Sequence, residues 1–147
     1  MKVNFMLIDD DIIDLFINEK NIEKLELNSK IKSFTSGDSA IDYLKEIATS
    51  ENLNDMFVPD FILLDINMPK MNGFQFMHEF RKLSDSIEKD IKVYMLSVSN
   101  NTKFIDNAKS GRFCNGFIQK PLTVEKLDAM IENFELSVNE YHFEESI

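Results

Sequence analysis

Asp9, Asp10 and Asp11 directly follow the apolar run Val3 to Ile8, and Asp65 directly follows another, Phe61 to Leu64. Ser97 stands just past the run Ile91 to Leu96, and Lys120 just past Gly116 to Ile118. Short apolar runs of this kind suit strands, and Phe61 to Leu64 suits one buried on both faces, so these polar side chains sit where strands end. If the strands that precede Asp9 and Asp65 are neighbours, Asp9, Asp10 and Asp65 converge on one small volume. Like charges so close repel, and a cation or protons must make the cluster tolerable. Oxygen-only ligands with no Cys or His nearby favour a hard divalent ion. Mg²⁺ is the natural candidate, since it takes one or two carboxylates, waters and phosphate oxygens. A lysine and a hydroxyl facing the same place could hold the remaining oxygens of a phosphoryl group.

The elements that must position these groups alternate along the chain. After the strand Val3 to Ile8, the residues Ile12, Leu15, Phe16, Ile22 and Leu25 recur at spacings compatible with one helical face. Ile31 to Phe34 reads as a short second strand. Thr35-Ser36-Gly37-Asp38 then supplies turn and cap chemistry before a helical stripe of Ile41, Leu44 and Ile47. The polar stretch at about 48 to 58 reads as a surface loop. Beyond Asp65 comes a loop holding Pro69 and Gly73, then a helix with Phe74, Met77 and Phe80. The strand Ile91 to Leu96 precedes a fourth helix marked by Phe104, Ile105 and Ala108, and the strand Gly116 to Ile118 precedes a final helix with Leu127, Met130, Ile131 and Phe134. Five strand-helix units imply a doubly wound α/β domain, a mainly parallel sheet with helices on both faces, because parallel strands need right-handed crossovers. Ligands of such sheets bind outside the carboxyl ends of the strands, where the acids lie.

Composition narrows the function classes. The chain has 147 residues, enough for one domain, with 44% hydrophobic and 29% charged residues, enough apolar side chain for a core. Lys and Arg number 16 against 26 Asp and Glu, and this charge of −10 argues against direct nucleic-acid binding. No apolar run approaches the length of a membrane span, and the N-terminal one is too short and too soon charged for a signal peptide. The lone Cys114 cannot form an internal disulfide or a thiolate metal site, and it suits a reducing cytoplasm.

Over about residues 3 to 137 the sequence resembles the receiver domains of bacterial two-component response regulators. The resemblance rests on Leu-Ile-Asp-Asp-Asp at 7 to 11, on Ile62-Leu-Leu-Asp-Ile-Asn-Met-Pro-Lys-Met-Asn-Gly73, on Ser97 at a strand end, and on Lys120-Pro121. It implies a flavodoxin-like, five-stranded parallel sheet of order 2-1-3-4-5. The receiver domain would occupy 1–137, and 138–147 would be a short tail with no output domain. Asp65 would be the phosphoacceptor, and Mg²⁺ would be held by Asp9, Asp10, Asp65 and the backbone carbonyl of Asn67. Ser97 and Lys120 would stabilise the phosphoryl group, and Phe117 takes the position of the switch aromatic. Such a protein catalyses only its own phosphorylation and dephosphorylation. Its partners would be a sensor histidine kinase or histidine phosphotransfer protein and a downstream protein target. In family members the bond before the proline after the lysine is cis.

Plainer readings stand beside these. Asp11 reads as a solvated first-turn acid, His78 as a half-exposed helical histidine, and Phe117 equally as a core aromatic. Ser99 is a rival hydroxyl, although the family register favours Ser97. Val98 stands where small side chains are more usual in the family, so its branched group could narrow the path to Asp65. Two other functions compete with a phosphorylation-controlled module that stands alone. One is a degenerate receiver acting as a phosphate-independent interaction module, against which the intact acid, hydroxyl and lysine set argues. The other is a Mg²⁺-dependent phosphatase of the haloacid dehalogenase type, which should carry an acid two residues after the nucleophile, where this chain has Asn67.

Overall fold

The computed structural model describes residues 2–98 and 114–145, with side chains described as far as Phe134. The expected fourth helix and Ser99 lie outside the described residues. In chain order the elements are β1 (Lys2–Ile8), α1 (Ile12–Glu23), β2 (Asn28–Phe34), α2 (Gly37–Thr49), β3 (Phe61–Asp65), α3 (Gly73–Ser84), β4 (Lys92–Ser97), β5 (Gly116–Gln119) and α4 (Val124–Glu145). The strands form one parallel sheet of order β2-β1-β3-β4-β5, the order the resemblance implies. No helix among the described residues is long and apolar enough to cross a membrane.

Alternation along the strands divides the core into two layers, because successive side chains point to opposite faces. Met6, Ile8, Ile62, Leu64, Val93 and Met95 face α2 and α3. Phe5, Leu7, Phe61, Leu63 and Leu96 face α1 and α4. Phe61 stacks on Phe5 with ring centroids 5.6 Å apart and meets Phe134 of α4 edge-on at 5.3 Å, which fixes the last helix on the sheet. Each fully buried side chain of this size contributes roughly 1.5–3 kcal/mol. β3 is buried at every position, which is why it reads as an unbroken apolar run.

Three expectations need correction. α1 does not bury Ile12 and Phe16, which are 72% and 58% exposed; its inner face is Leu15, Asn18 and Ile22. At about 100° per residue, Asn18 and Ile22 fall within about 60° of Leu15 while Phe16 lies about 100° away, so the phase set by Leu15 and Ile22 turns Phe16 outward. β2 begins at Asn28, earlier than Ile31, because an edge strand exposes part of its side chains and shows no continuous apolar run. α4 continues to Glu145, so most of the segment read as a tail is helical.

Candidate functional site

β1 and β3 are paired with Ile8 opposite Leu64, so the chain leaves both strands side by side, with Asp9 following one and Asp65 ending the other. Asp9 is 2% exposed and held at both backbone and side chain: its N–H donates to the Phe34 carbonyl at 3.1 Å, and its Oδ1 accepts the Asp11 N–H at 2.9 Å. Asp11 is the N-cap of α1, accepting the N–H groups of Ile13 and Asp14, a more definite role than a solvated first-turn acid. Asp10, between them, is exposed. Asp9, Asp10 and Asp65 each bring a carboxylate oxygen to within 4.8 Å of the others.

The loop after Asp65 is drawn in tightly. The Asn67 N–H reaches Asp65 Oδ1 at 3.4 Å, and the Gly73 N–H donates to the Ile66 carbonyl at 2.9 Å. A Cβ at Gly73 would stand 3.0 Å from Ile66 Cα and 3.3 Å from the Asp65 carbonyl, so only glycine lets α3 start this close to the strand end. Asn72 and Gln75 close a capping box at that start. Between them and Asp65, Lys70 has φ 67°, and the Met71 N–H turns back to the Pro69 carbonyl at 2.8 Å.

Lys120 enters from the opposite side. Its N–H donates to the Ser97 carbonyl at 2.7 Å, and the peptide bond to Pro121 is cis. Its ammonium stands 3.1 Å from Asp9 Oδ2, 3.2 Å from Asp65 Oδ1 and 3.2 Å from Asp14 Oδ2. Burial alone would lower the ammonium's pKa, but the charges of Asp65 and Asp9 overcome it and hold it above the usual lysine value. Asp65 is raised from 3.8 to about 6, first by burial and then by the charge of Asp9, against the smaller downward pull of Lys120 and the Asn67 N–H. The carboxylates of Asp9, Asp10, Asp14 and Asp65 thus gather about the ammonium of Lys120.

The donors fit a hard divalent cation. They are oxygens only, two of the carboxylates are buried and held, and the third is exposed, where a cation that keeps part of its water shell could lie. Asp65, raised first by burial and then by the charge of Asp9, would have its charged form favoured by a cation placed there.

Ser97 is buried at the end of β4, opposite Gln119, with Leu96 opposite Asp65. This register brings Ser97 beside the strand ends that carry Asp65 and Lys120. Phe117 is half-buried on β5, opposite Met95, and packs against the layer under α2 and α3. His78 is exposed on α3. Asp14 was not anticipated. A turn of helix beyond Asp10, it projects from the same end of α1, and that spacing is the signal that could have found it.

Residues 5–132 match the family model of the response regulator receiver domain. The chain belongs to this family. The receiver is 26% identical to a probable C4-dicarboxylate response regulator, DctR, of Halalkalibacterium halodurans, over 90% of this chain and 51% of that protein. It is 30% identical to the two-component response regulator ARR14 of Arabidopsis thaliana, over 85% of this chain and 29% of that protein. It therefore spans about half or less of these relatives. Among solved structures it is similar to a two-component response regulator from Cytophaga hutchinsonii, with TM-score 0.77, 29% identity and coverage of 90% of this chain and 97% of the other. A response regulator receiver protein from Dyadobacter fermentans gives TM-score 0.74 and 28% identity over 90% and 97%.

Proposed function

We propose that this receiver domain takes a phosphoryl group onto Asp65 in a Mg²⁺-dependent reaction and signals by a resulting conformational change. The observation that carries the reading is the convergence of Asp9, Asp10 and Asp65 with the ammonium of Lys120 at the carboxyl ends of β1, β3 and β5. Asp65 would be the nucleophile: burial and Asp9 make its oxygen more basic than a surface carboxylate, yet at neutral pH it is still mostly ionised. An oxygen–phosphorus bond forms on Asp65 as the donor's bond to phosphorus breaks, and the leaving atom keeps the electron pair. Such a transfer needs in-line positioning and charge neutralisation more than covalent help. Asp9, Asp10, Asp65 and the backbone carbonyl of Asn67 would hold the Mg²⁺, which when bound supplies positive charge to the phosphoryl oxygens. Lys120 would pair with the transferred group and Ser97 would donate a hydrogen bond to it. Phe117, on β5 three residues before Lys120, would carry the change outward.

The side chains of Ile12, Ile13, Phe16 and Ile17 make an exposed apolar face on the helix that begins beside Asp9 and Asp10. Such a face supports a protein donor, a sensor histidine kinase or a histidine phosphotransfer protein, as well as a protein target downstream. The lone Cys114 is in keeping with a reducing cytoplasm.

Incubation with a small phosphodonor and Mg²⁺, read by intact mass, tests the reading. Wild type should gain one phosphoryl group and Asp65→Asn none. Equal labelling of the two would move the phosphoacceptor elsewhere, no labelling of wild type would favour a phosphate-independent interaction module, and rapid turnover of the donor without a lasting product would favour a phosphatase.

A further inference from the structure

Asp14 has no task in the phosphotransfer reading, and the role inferred for it rests on that reading. It lies in the first turn of α1 with 39% of its side chain exposed, and its Oδ2 stands 3.2 Å from Lys120 Nζ. An ammonium has three N–H donors and no acceptor. Around Lys120 those donors face Asp9 at 3.1 Å, Asp65 at 3.2 Å and Asp14 at 3.2 Å, so the group is fully engaged in this arrangement. To bind a phosphoryl oxygen it must leave one of them. Asp65 would carry the phosphoryl group and Asp9 faces the cation cluster, so both keep a place in the phosphorylated site. Asp14 is outside that cluster and offers Lys120 only a competing partner.

We propose that Asp14 is a resting-state counter-ion for Lys120 that competes with the phosphoryl group on Asp65 for its ammonium, and so limits how firmly the phosphorylated arrangement is held. Asp14 is a positioning residue in this scheme. It acts through Lys120 and touches neither donor nor phosphoryl group. The part-exposed pair is weak enough to be exchanged, since ion pairs open to water are individually small. Asp9, nearly sealed from solvent, makes a firmer contact and would be a poor group to release.

The test uses beryllofluoride, a phosphoryl mimic, titrated at saturating Mg²⁺ and followed by fluorine NMR. Four proteins are compared: wild type, Asp14→Asn, Lys120→Met and the double variant. Asp14→Asn should bind about two- to fivefold more tightly than wild type, the range a part-exposed ion pair can supply. In the Lys120→Met background the same substitution should change nothing. Equal or weaker binding by Asp14→Asn would overturn the proposal. So would equal tightening in both backgrounds, which would mean that removal of any nearby negative charge favours the anion. If wild type binds no beryllofluoride at all, the phosphoacceptor reading fails first and this proposal with it, a result distinct from the other two. Asp14→Ala, which removes the carboxylate without adding an amide, should match Asp14→Asn.

Discussion

The two ends of the sheet each hold a carboxylate beside a lysine, and they hold it differently. At the amino end, Asp60 accepts the Asn4 N–H at 2.7 Å through Oδ2 and meets Lys89 at 2.9 Å through Oδ1. One acid there has one cation and one backbone donor, and it ties the start of β3 to β1 and to the chain just before β4. At the carboxyl end, the single ammonium of Lys120 is, among the described residues, the cation that faces Asp9, Asp14 and Asp65, with Asp10 close by. The first arrangement is balanced, and the second carries more negative charge than its lysine can offset. An Asp–Lys contact therefore says little by itself. The surplus of acid distinguishes a place that holds the fold together from one prepared for a further cation.

The largest test of that difference is Mg²⁺. On the proposed reading it would bind the folded cluster and not the dispersed acids of an unfolded chain, so at about 100 times its dissociation constant it should add about 2.7 kcal/mol. Asp60→Ala should keep this gain, because its acid is at the other end. Asp10→Asn, which removes one repelling charge together with one cation contact, should lose most of it. Thermal melts in chelator and in Mg²⁺ provide the check, and parallel shifts in Asp10→Asn and wild type would erase the distinction between the two ends.

Substitution without metal should move the two ends in opposite directions. Asp65→Asn removes a charge that burial and Asp9 disfavour, and in chelator it should raise stability by at most about 3 kcal/mol, the full worth of a pKa displaced from 3.8 to about 6, and by less where solvent screens the site. Asp60→Ala leaves the Asn4 N–H without its acceptor and Lys89 with the Val58 carbonyl but no counter-ion, and should cost about 1–2 kcal/mol. Urea titrations of both variants at neutral pH decide it. A destabilised Asp65→Asn would show that the Lys120 contact outweighs the repulsion.

Acidification asks the same question more gently. The folded-state pKa of Asp65 lies above its unfolded value, so its contribution to stability is fully present below the unfolded pKa and is lost as pH rises through about 6. Metal-free wild type should therefore gain a few degrees in melting temperature between about pH 7 and about pH 5, before carboxylates that prefer their charge begin to oppose the trend. Asp65→Asn should be flat across that window, and Asp60→Ala should gain as wild type does.

How far the sequence revealed this contrast depends on the kind of signal each part leaves. β1 and β3 were legible as continuous apolar runs, and α2 as a clean stripe, because Ile41, Leu44 and Ile47 are all buried. β2 was legible only at its end, since an edge strand has no inner face on both sides. α1 misled because Ile12, Ile13, Phe16 and Ile17 put apolar side chains on its solvent face, so spacing alone could not tell which side packs. Asp9, Asp10 and Asp65 declared themselves by standing at strand ends. Asp14 did not: its partner Lys120 is 106 residues away, and the pair exists only once α1 and β5 are set at the same edge of the site. The Asp60–Lys89 pair was invisible for the same reason, since its two residues meet only where β3 and β4 begin.

Access separates the two ends further, and here the expected effect is smallest. Val98 follows Ser97 at the end of β4, and its side chain is 66% exposed. A branched side chain standing so far in solvent can narrow the approach to Asp65 but cannot close it. Val98→Ala should therefore raise both the rate of labelling by a small phosphodonor and the rate at which label is lost, each by about twofold, on the order of 0.4 kcal/mol in each barrier. Stability should hardly change, since a substitution at so exposed a position stays within about 0.5 kcal/mol. Both rates must move together, because donor and attacking water reach the same phosphorus through the same opening. If labelling quickens while loss of label does not, Val98 acts on the donor and not on access. If melting temperature falls as well, the side chain packs more firmly than its exposure implies, and steric narrowing is the wrong account.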